Sequence, residues 1–224
     1  MTDVAVIDYG MGNLRSVAKA IEHVAPRLEV TVTSDPGVVA GATRVVFPGQ
    51  GAMPDCMREM DARGLRAAVI AAAREKPFLG ICIGLQMLFE VSEEGNVAGL
   101  GLLPGRVRRF PAEAMVDARG AKLKVPHMGW NEVHQVAPHP LWGGIASGSR
   151  FYFVHSYFPE PARSELVAGR SFYPFAFACA AADGNIFAVQ FHPEKSQAAG
   201  LRLLANFVAW EPAAVGAARA GAGW

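Results

Sequence analysis

The first part of the chain alternates short apolar runs with segments of helical periodicity. The apolar runs have the length of buried strands and cover residues 4–10, 28–33, 43–49 and 77–81. Helices are predicted between them, at 13–25, from Ser34 or Asp35 for a short stretch, and across 53–74. Strands separated by helices of this length favour right-handed βαβ units and a parallel sheet. Ligand sites of such sheets lie beyond the carboxyl ends of the strands.

The second half has a different pattern. Strands are predicted at 105–110, 122–133, 150–158 and 175–191, and the last of these contains Asp183-Gly184, a hairpin turn signal. A helix with an apolar face follows at 197–210. We therefore predict an α/β fold with a mostly parallel central sheet flanked by helices and an antiparallel strand portion in the second half. Residues 1–210 form one domain in this prediction, and the alanine- and glycine-rich 211–224 is a flexible tail.

Composition narrows the functional classes. Hydrophobic residues make up 51% of the chain and charged residues 18%, which predicts a well-buried core. The 21 basic and 20 acidic side chains nearly cancel, so nothing favours a nucleic acid or a membrane surface as a partner. The sequence starts without the features of a signal peptide and has no apolar run of membrane-spanning length. Three cysteines without metal-like spacing read as reduced thiols, and we expect a cytoplasmic protein.

One of these cysteines lies at the bend in the string "KPFLGICIGLQMLFE", residues 76–90, which runs from a predicted apolar strand into a predicted amphipathic helix. The string "GICIG", residues 80–84, is the thiol version of the G-x-S-x-G nucleophile elbow. A sharp turn there would raise the Cys82 side chain over the sheet edge, and the following helix would aim its N-terminal N–H groups at the sulfur. A buried, inert cysteine is the alternative, and this string alone does not decide between the two.

A thiolate nucleophile needs an imidazole to carry its proton and an acid to orient that imidazole. The string "VQFHPEKS" places His192 and Glu194 directly after an apolar run, on either side of a proline. In extended backbone two residues this far apart point to the same side, which suits a carboxylate that holds a ring. The alternative is a solvated loop with an incidental ion pair. No pair of histidines has the spacing of a zinc site, so no metal is assigned.

The string "FPGQGAM", residues 47–53, ends a predicted strand with glycines on both sides of Gln50. Such a segment can present backbone N–H groups to a developing negative charge. It lacks the lysine of a phosphate-binding P-loop. Taken alone, it is a weak signal.

Taken in order, "PGQG", "GICIG" and "QFHPEKS" resemble the class I (triad) glutamine amidotransferases over roughly residues 3–210. Three further strings, "DYGMGNL", "PHMGWNEV" and "FVHSYF", look like those of the glutaminase subunits of imidazole glycerol phosphate synthases, enzymes of histidine biosynthesis. The departure from this pattern is Gln50, where many relatives would have an apolar residue such as valine. Only the backbone is expected to act there.

The resemblance implies roles for the residues that match its motifs. Cys82 would attack the carboxamide of L-glutamine, His192 would pass a proton to the departing ammonia, and Glu194 would orient His192. The backbone N–H groups of Ile83 and, after a local rearrangement, Gln50 would form the oxyanion hole. The substrate would be held by Gly51, Gln86, Glu94, Ser156 and Tyr157. No cofactor is implied.

The resemblance also implies a partner, a (β/α)₈-barrel cyclase subunit of imidazole glycerol phosphate synthase that receives the ammonia in a heterodimer. The positions that match the family's interface are Asn13, His127, Met128, Trp130 and Lys195. Each has a structural alternative: a helix cap for Asn13, packing of the "HMGW" segment, and a solvated lysine.

Three other functions remain open at this point. The first is a glutaminase that supplies ammonia to a different synthase, and the string "PHMGWN" discriminates between the two synthases. The second is a cysteine hydrolase or peptidase, for which Gln86, Glu94 and Ser156 are poor choices. The third is a catalytically idle scaffold that only stabilises its partner, and the intact set of Cys82, His192 and Glu194 argues against it.

Overall fold

The computed structural model of the protein describes residues 2–117 and 119–212. Its helices are α1 (Leu14–Val24), α2 (Pro36–Gly41), α3 (Met53–Ala62), α4 (Arg66–Glu75), α5 (Ile83–Gln86) and α6 (Gln197–Ala209). The strands of the first half are β1 (Val4–Ile7), β2 (Val30–Thr33), β3 (Arg44–Gly49), β4 (Phe78–Cys82), β5 (Val91–Ser92), β6 (Val97–Ala98) and β7 (Gly105–Arg109). Those of the second half are β8 (His127–Gln135), β9 (Ser149–His155), β10 (Tyr157–Pro161), β11 (Val167–Phe172), β12 (Ala176–Asp183) and β13 (Ile186–Val189).

Nine strands form one mixed sheet in the order β2-β1-β3-β4-β13-β12-β11-β8-β9. The five strands from β2 to β13 are parallel, and the pairs from β13 to β9 are antiparallel. A second sheet has the order β10-β7-β5-β6. The predicted fold class is confirmed: an α/β fold with a parallel sheet in the centre and antiparallel strands contributed by the second half.

The inner parallel strands β1, β3, β4 and β13 are buried on both faces because helices cover both sides of the sheet. Every residue of β1 and of β3 is buried. The helical periodicity of α1 places Leu14, Val17, Ala18 and Ile21 on one face, and the last three of these are buried. These buried faces put the carboxyl ends of β3, β4 and β13 side by side at one edge of the sheet.

Several predicted elements differ from the observed ones. The helical region 53–74 is two helices, α3 and α4, separated at Gly64, whose φ of +66° only glycine adopts readily. Within 122–133 the strand begins only at His127, and 150–158 divides into β9 and β10 at Ser156. Strand β11 and the two-residue strands β5 and β6 are absent from the sequence prediction, because their apolar and polar residues show no sustained alternation.

The predicted tail begins within the described part of the chain. Glu211 forms an ion pair with Arg44, a side chain that is otherwise almost fully buried beside the end of α6. The rest of the predicted tail, from residue 213, lies outside the described residues. Within those residues, none of the helices combines the length and the apolar character that crossing a membrane requires.

Candidate active site

Three neighbouring parallel strands end at one place in the sheet. In the register of β3 and β4, Gly49 pairs with Cys82, and in that of β13 and β4, Val189 pairs with Ile81. Gln50 therefore follows on one side of Cys82, and the segment after Val189, which carries His192, follows on the other side. The topology brings together residues that are more than a hundred positions apart in the chain.

Cys82 has the backbone conformation of a nucleophile elbow. Its φ is +57° and its ψ is −111°, a combination rare for a residue with a side chain and one that costs about 1–3 kcal/mol. Gly84 is needed by the same bend, because a Cβ there would lie 1.8 Å from the carbonyl oxygen of Phe47. The glycine lets the turn after Cys82 approach the backbone of β3. Cys82 is 4% exposed and lines a cavity, so a ligand in that cavity can reach it.

The helix after Cys82 is shorter than the sequence suggests. α5 is a single turn, Ile83–Gln86, whereas the sequence pattern predicts a longer amphipathic helix. The apolar residues beyond it, such as Leu88 and Phe89, are buried in turns instead. The first N–H groups of α5, that of Ile83 among them, have no acceptor inside the helix, which keeps them available to a ligand above Cys82.

His192 and Glu194 form a buried pair. Nδ1 of His192 lies 2.8 Å from Oε1 of Glu194, and their side chains are 5% and 1% exposed. A solvated, incidental ion pair is therefore wrong for these residues. The peptide of His192 is fixed on both sides, since its N–H donates to the carbonyl of Tyr152 and its carbonyl accepts from Ser196 Oγ.

The electrostatics of this pair favour a charged ring. Burial lowers the pKa of His192, but the neighbouring Cys82 and Glu194 outweigh burial and raise the pKa from 6.5 to about 10. Nε2 of His192 is buried and has no hydrogen-bond partner among the described residues. With such a pKa the ring is protonated at neutral pH.

The cavity above Cys82 has a volume of about 220 Å³. It is lined by nine residues that the sequence predicts as catalytic, oxyanion-hole or substrate-binding: Gln50, Gly51, Cys82, Ile83, Gln86, Glu94, Ser156, Tyr157 and His192. Pro126, Val154 and His155 complete the lining. Glu194 lies behind His192, as an orienting carboxylate should.

Two of the lining side chains are held by specific contacts. Oε2 of Glu94 accepts a hydrogen bond of 2.8 Å from the N–H of Met53, the first residue of α3. A carboxylate at a helix N-terminus is electrostatically favourable. Nε2 of Gln86 donates to the carbonyl of Tyr157 and to Oε1 of Gln190, at 3.1 Å each. Both side chains are therefore oriented before any ligand arrives.

The backbone next to Gln50 is anchored on both sides. The hydroxyl of Tyr9 donates to the carbonyl of Pro48 at 2.7 Å, and Sγ of Cys56 donates to the carbonyl of Gln50 at 3.6 Å. Tyr9 and Cys56 are fully buried, and burial raises the pKa of both, that of Cys56 to about 11. Both groups therefore keep their protons. Between these anchors lies the peptide that joins Gly49 to Gln50.

Gln190 is a site residue that the sequence interpretation missed. It is fully buried, and its Nε2 lies 3.8 Å from Sγ of Cys82, within hydrogen-bonding distance of a sulfur. A signal for it existed: Gln190 is a polar residue at the end of the apolar run "FAVQF", on the same side of the chain as His192. Its amide N–H donates to the sulfur.

Comparison with known proteins was made for the whole chain. The family model for class-I glutamine amidotransferases matches residues 5–210. The chain belongs to this family. Curated amidotransferase relatives named imidazole glycerol phosphate synthase subunit HisH are 72% identical over 210 residues in Thiobacillus denitrificans and 70% identical over 212 residues in Nitrosospira multiformis. These alignments cover 94% and 95% of this chain and 92% and 100% of the relatives.

Solved structures agree on the amidotransferase fold. A Thermoplasma acidophilum protein described as belonging to a GMP synthase superposes with a TM-score of 0.67 at 18% identity, covering 93% of each chain. A structure described as a glutamine amidotransferase gives 0.65 at 19% identity and covers 92% of this chain and 99% of its own. At such low identity these two structures support the fold alone. The family resemblance drawn from the sequence is confirmed by the family model and the curated relatives.

The five residues predicted at a partner interface are not all exposed at the surface of the protein. Met128 is 61% exposed, Trp130 is 39% exposed and Asn13 is exposed. Asn13 stands at the N-cap position of α1 without a capping hydrogen bond from its side chain, so a capping role does not account for it. Lys195 is half-buried, with Nζ 5.9 Å from the centre of the Tyr152 ring.

His127 differs from the other four. It is only 3% exposed, and its ring contacts Phe153 and Tyr173 inside the protein. The structure therefore does not place its side chain where a partner would touch it. In the described part of this amidotransferase chain, no cluster of three or more histidine, cysteine, aspartate or glutamate residues is arranged to hold a metal ion.

Proposed function

We propose that this protein is the glutaminase subunit of an imidazole glycerol phosphate synthase and hydrolyses L-glutamine to glutamate and ammonia for histidine biosynthesis. The observation that carries the proposal is the buried His192–Glu194 pair beside Cys82 at the ends of adjacent strands. The relatives of this chain at about 70% identity, which span nearly its whole length, carry the name of that synthase's subunit HisH.

The proposed reaction starts with the thiolate of Cys82. The sulfur attacks the carboxamide carbon, and the resulting oxyanion is stabilised by the N–H groups of Ile83 and, after rearrangement of the anchored segment, Gln50. His192 gives its Nε2 proton to the amide nitrogen, so ammonia leaves and a thioester remains. The same ring then takes a proton from water, which attacks the thioester and releases glutamate and the thiol. Glu194 orients the ring throughout the reaction and stabilises it in the steps in which it is charged.

The substrate is recognised by the remaining lining residues. Glu94 is negatively charged and suits the α-ammonium group of glutamine. Gly51, Ser156 and Tyr157 surround the amino-acid end, and Gln86 contacts the substrate from the turn after the nucleophile. These assignments select a free amino acid over a peptide, because a peptide bond would remove the ammonium charge that Glu94 binds.

The ammonia is expected to pass to a partner, a (β/α)₈-barrel cyclase subunit of the same synthase. Direct transfer within a complex keeps the product as neutral ammonia, the nucleophilic form, whereas release into water at neutral pH gives ammonium. Asn13, Met128, Trp130 and Lys195 are the proposed contacts. An exposed tryptophan and methionine on one strand are typical of interface anchors. We expect the complex in the cytoplasm.

The test is Cys82→Ala in the complex with the cyclase, with Cys179→Ala as the matched control because Cys179 is fully buried in β12. We expect Cys82→Ala to abolish glutamine-dependent synthesis and to leave synthesis from added ammonium salts intact. Cys179→Ala should keep both activities. Loss of the ammonium-dependent reaction in Cys82→Ala, or full glutamine-dependent activity in that variant, would contradict the proposal.

A second measurement separates a synthase component from an independent hydrolase. The free chain should turn over glutamine slowly, and the rate should rise when the cyclase and its nucleotide ligand are added, because the peptide before Gln50 must reorient. The anchors from Tyr9 and Cys56 hold only the flanking carbonyls. Rapid turnover by the free chain, unchanged by the cyclase, would instead favour a stand-alone amidase.

A further inference from the structure

Two buried histidines link the substrate cavity to the strand that carries the exposed tryptophan. Nδ1 of His155 lies 2.8 Å from the carbonyl oxygen of Tyr157, and Nε2 of His155 lies 3.0 Å from Nδ1 of His127. Nε2 of His127 lies 3.2 Å from Nδ2 of Asn131. None of these bonds is used in the reaction described above, yet one end of the series is a backbone carbonyl of a residue that lines the cavity.

The hydrogen-bond partners allow one arrangement of protons when both rings are neutral. A carbonyl only accepts, so His155 donates from Nδ1 to Tyr157, and its Nε2 must accept. His127 therefore donates from Nδ1, and its own Nε2 accepts from the amide of Asn131. Each ring is thus fixed in a single tautomer by its neighbours.

Burial keeps both rings neutral at physiological pH. Burial is the largest cause that lowers the pKa of His155, to about 3, and the nearby His127 and His192 lower it further. Burial lowers the pKa of His127 to about 4. Protonating either ring would place a second donor against a donor, so charge would break the series as well as being poorly solvated.

The Tyr157 carbonyl joins this series to the nucleophile. It also accepts a hydrogen bond from Nε2 of Gln86, whose second N–H donates to Gln190, the neighbour of Cys82. With both donors used, Oε1 of Gln86 is buried and has no hydrogen-bond partner among the described residues. Gln86 is 1% exposed and lines the cavity, so the unpaired oxygen is an acceptor reserved for a ligand.

We propose that His155 and His127 are positioning residues of the glutamine site, which fix the Tyr157 carbonyl and through it the Gln86 amide, so that Gln86 Oε1 accepts an N–H of the substrate. This inference rests on the proposed glutaminase function. If His155 is removed, the Tyr157 carbonyl loses one of its two side-chain donors and is held less firmly, which weakens its hold on the Gln86 amide and favours a rotated amide that presents an N–H to the substrate.

Strand β8 carries residues of the hydrogen-bond series on one face and exposed apolar residues on the other. His127 and Asn131 face inward, while Met128 and Trp130 alternate with them and face outward. A partner bound on the outer face therefore holds the same strand that positions His155 from the inner face. A shift of β8 along its length would change the His127–His155 bond before it changed any contact of the nucleophile.

The test compares His155→Phe with His155→Asn in the complex with the cyclase. Phenylalanine fits the aromatic surroundings, since Phe110, Phe153 and Phe177 have ring centres 5.3 to 5.6 Å from that of His155, but it cannot donate to Tyr157. Asparagine carries an amide nitrogen on Cγ, as histidine carries Nδ1, but leaves a cavity. We expect the KM for glutamine to rise about tenfold in His155→Phe and to stay within about threefold of wild type in His155→Asn.

Stability should rank these two variants in the opposite order, with the melting temperature lower for His155→Asn than for His155→Phe. A merely structural role would make activity follow stability. His139→Phe is the matched control, because the His139 ring also packs against aromatic rings, those of Phe187 and Trp210, and has a pKa lowered to about 4 by burial, but it does not belong to the hydrogen-bond series. Its KM should not change.

Two outcomes would overturn the inference. One is a KM within twofold of wild type in His155→Phe, and the other is a KM that follows melting temperature across the three variants. If His155→Phe does not fold, His127→Phe decides, with an expected KM rise of about threefold and unchanged ammonium-dependent synthesis. Failure of these tests while Cys82→Ala behaves as expected would refute the positioning role alone and leave the glutaminase function standing.

Discussion

The contribution of Glu194 can be tested by Glu194→Gln, which keeps an acceptor for His192 Nδ1 and removes the charge. At the observed 2.8 Å between Nδ1 and Oε1, opposite unit charges attract by about 6 kcal/mol at an effective dielectric constant of about 20. A net hydrogen bond to a charged group contributes about 3 kcal/mol at most. We therefore expect kcat/KM for glutamine to fall by between about 10² and 10⁴, since each 1.36 kcal/mol is about tenfold.

The assay is glutaminase turnover in the complex, with ammonium-dependent synthesis as the internal reference. The matched control is Glu132→Gln, because Glu132 and His134 are also two residues apart but are 58% and 59% exposed, with 3.5 Å between Oε2 of Glu132 and Nε2 of His134. An exposed pair of this kind contributes little, so that variant should stay within twofold of wild type. A loss below tenfold in Glu194→Gln would refute the orienting role, as would an equal loss in the control.

Three further predictions concern stability and binding. Burial lowers the pKa of His155 from 6.5 to about 3, so as pH falls the unfolded chain takes up a proton at this residue before the folded chain does. Between pH 6.5 and 5 His155 should therefore lower the free energy of unfolding by about 2 kcal/mol. Urea titrations of the wild type and of His155→Phe at both pH values measure this difference. Gly84→Ala should destabilise the fold by more than about 3 kcal/mol, because its Cβ would lie 1.8 Å from the carbonyl oxygen of Phe47, whereas Gly41→Ala, with open space around it, should be neutral or stabilising. Trp130→Ala should weaken binding of the cyclase at least about tenfold by calorimetry with little change in melting temperature, and equal affinity would remove Trp130 from the interface.

The sheet and the principal site residues follow from local patterns in the sequence. Short, largely apolar runs such as 43–49 favour one arrangement in an α/β chain, a parallel strand covered on both faces. The glycines around Cys82 predict a sharp turn, and the structure shows the unusual backbone conformation of Cys82 that such a turn requires. His192 and Glu194 can be identified from the sequence because polar residues directly after a buried strand indicate a functional site at the end of that strand.

Other features depend on long-range contacts that no local pattern encodes. The single turn of α5 ends early because the residues after it pack into the core rather than continue along one helical face. In the sequence Tyr9 is only part of a turn, yet its hydroxyl reaches Pro48, thirty-nine positions away. The resemblance points to the surface for His127, and only the pairing of β8 with β9 shows that its ring meets His155.

The position of β13 determines when this protein can become active during its synthesis. β13 is inserted between β4 and β12, and its parallel pairing with β4 joins segments separated by more than a hundred residues, a slow step in folding. Until that strand has left the ribosome, β4 is an open sheet edge and the thiol of Cys82 has no imidazole beside it. A nascent chain therefore lacks the complete triad until residues 186–194 have been made and β13 has paired with β4.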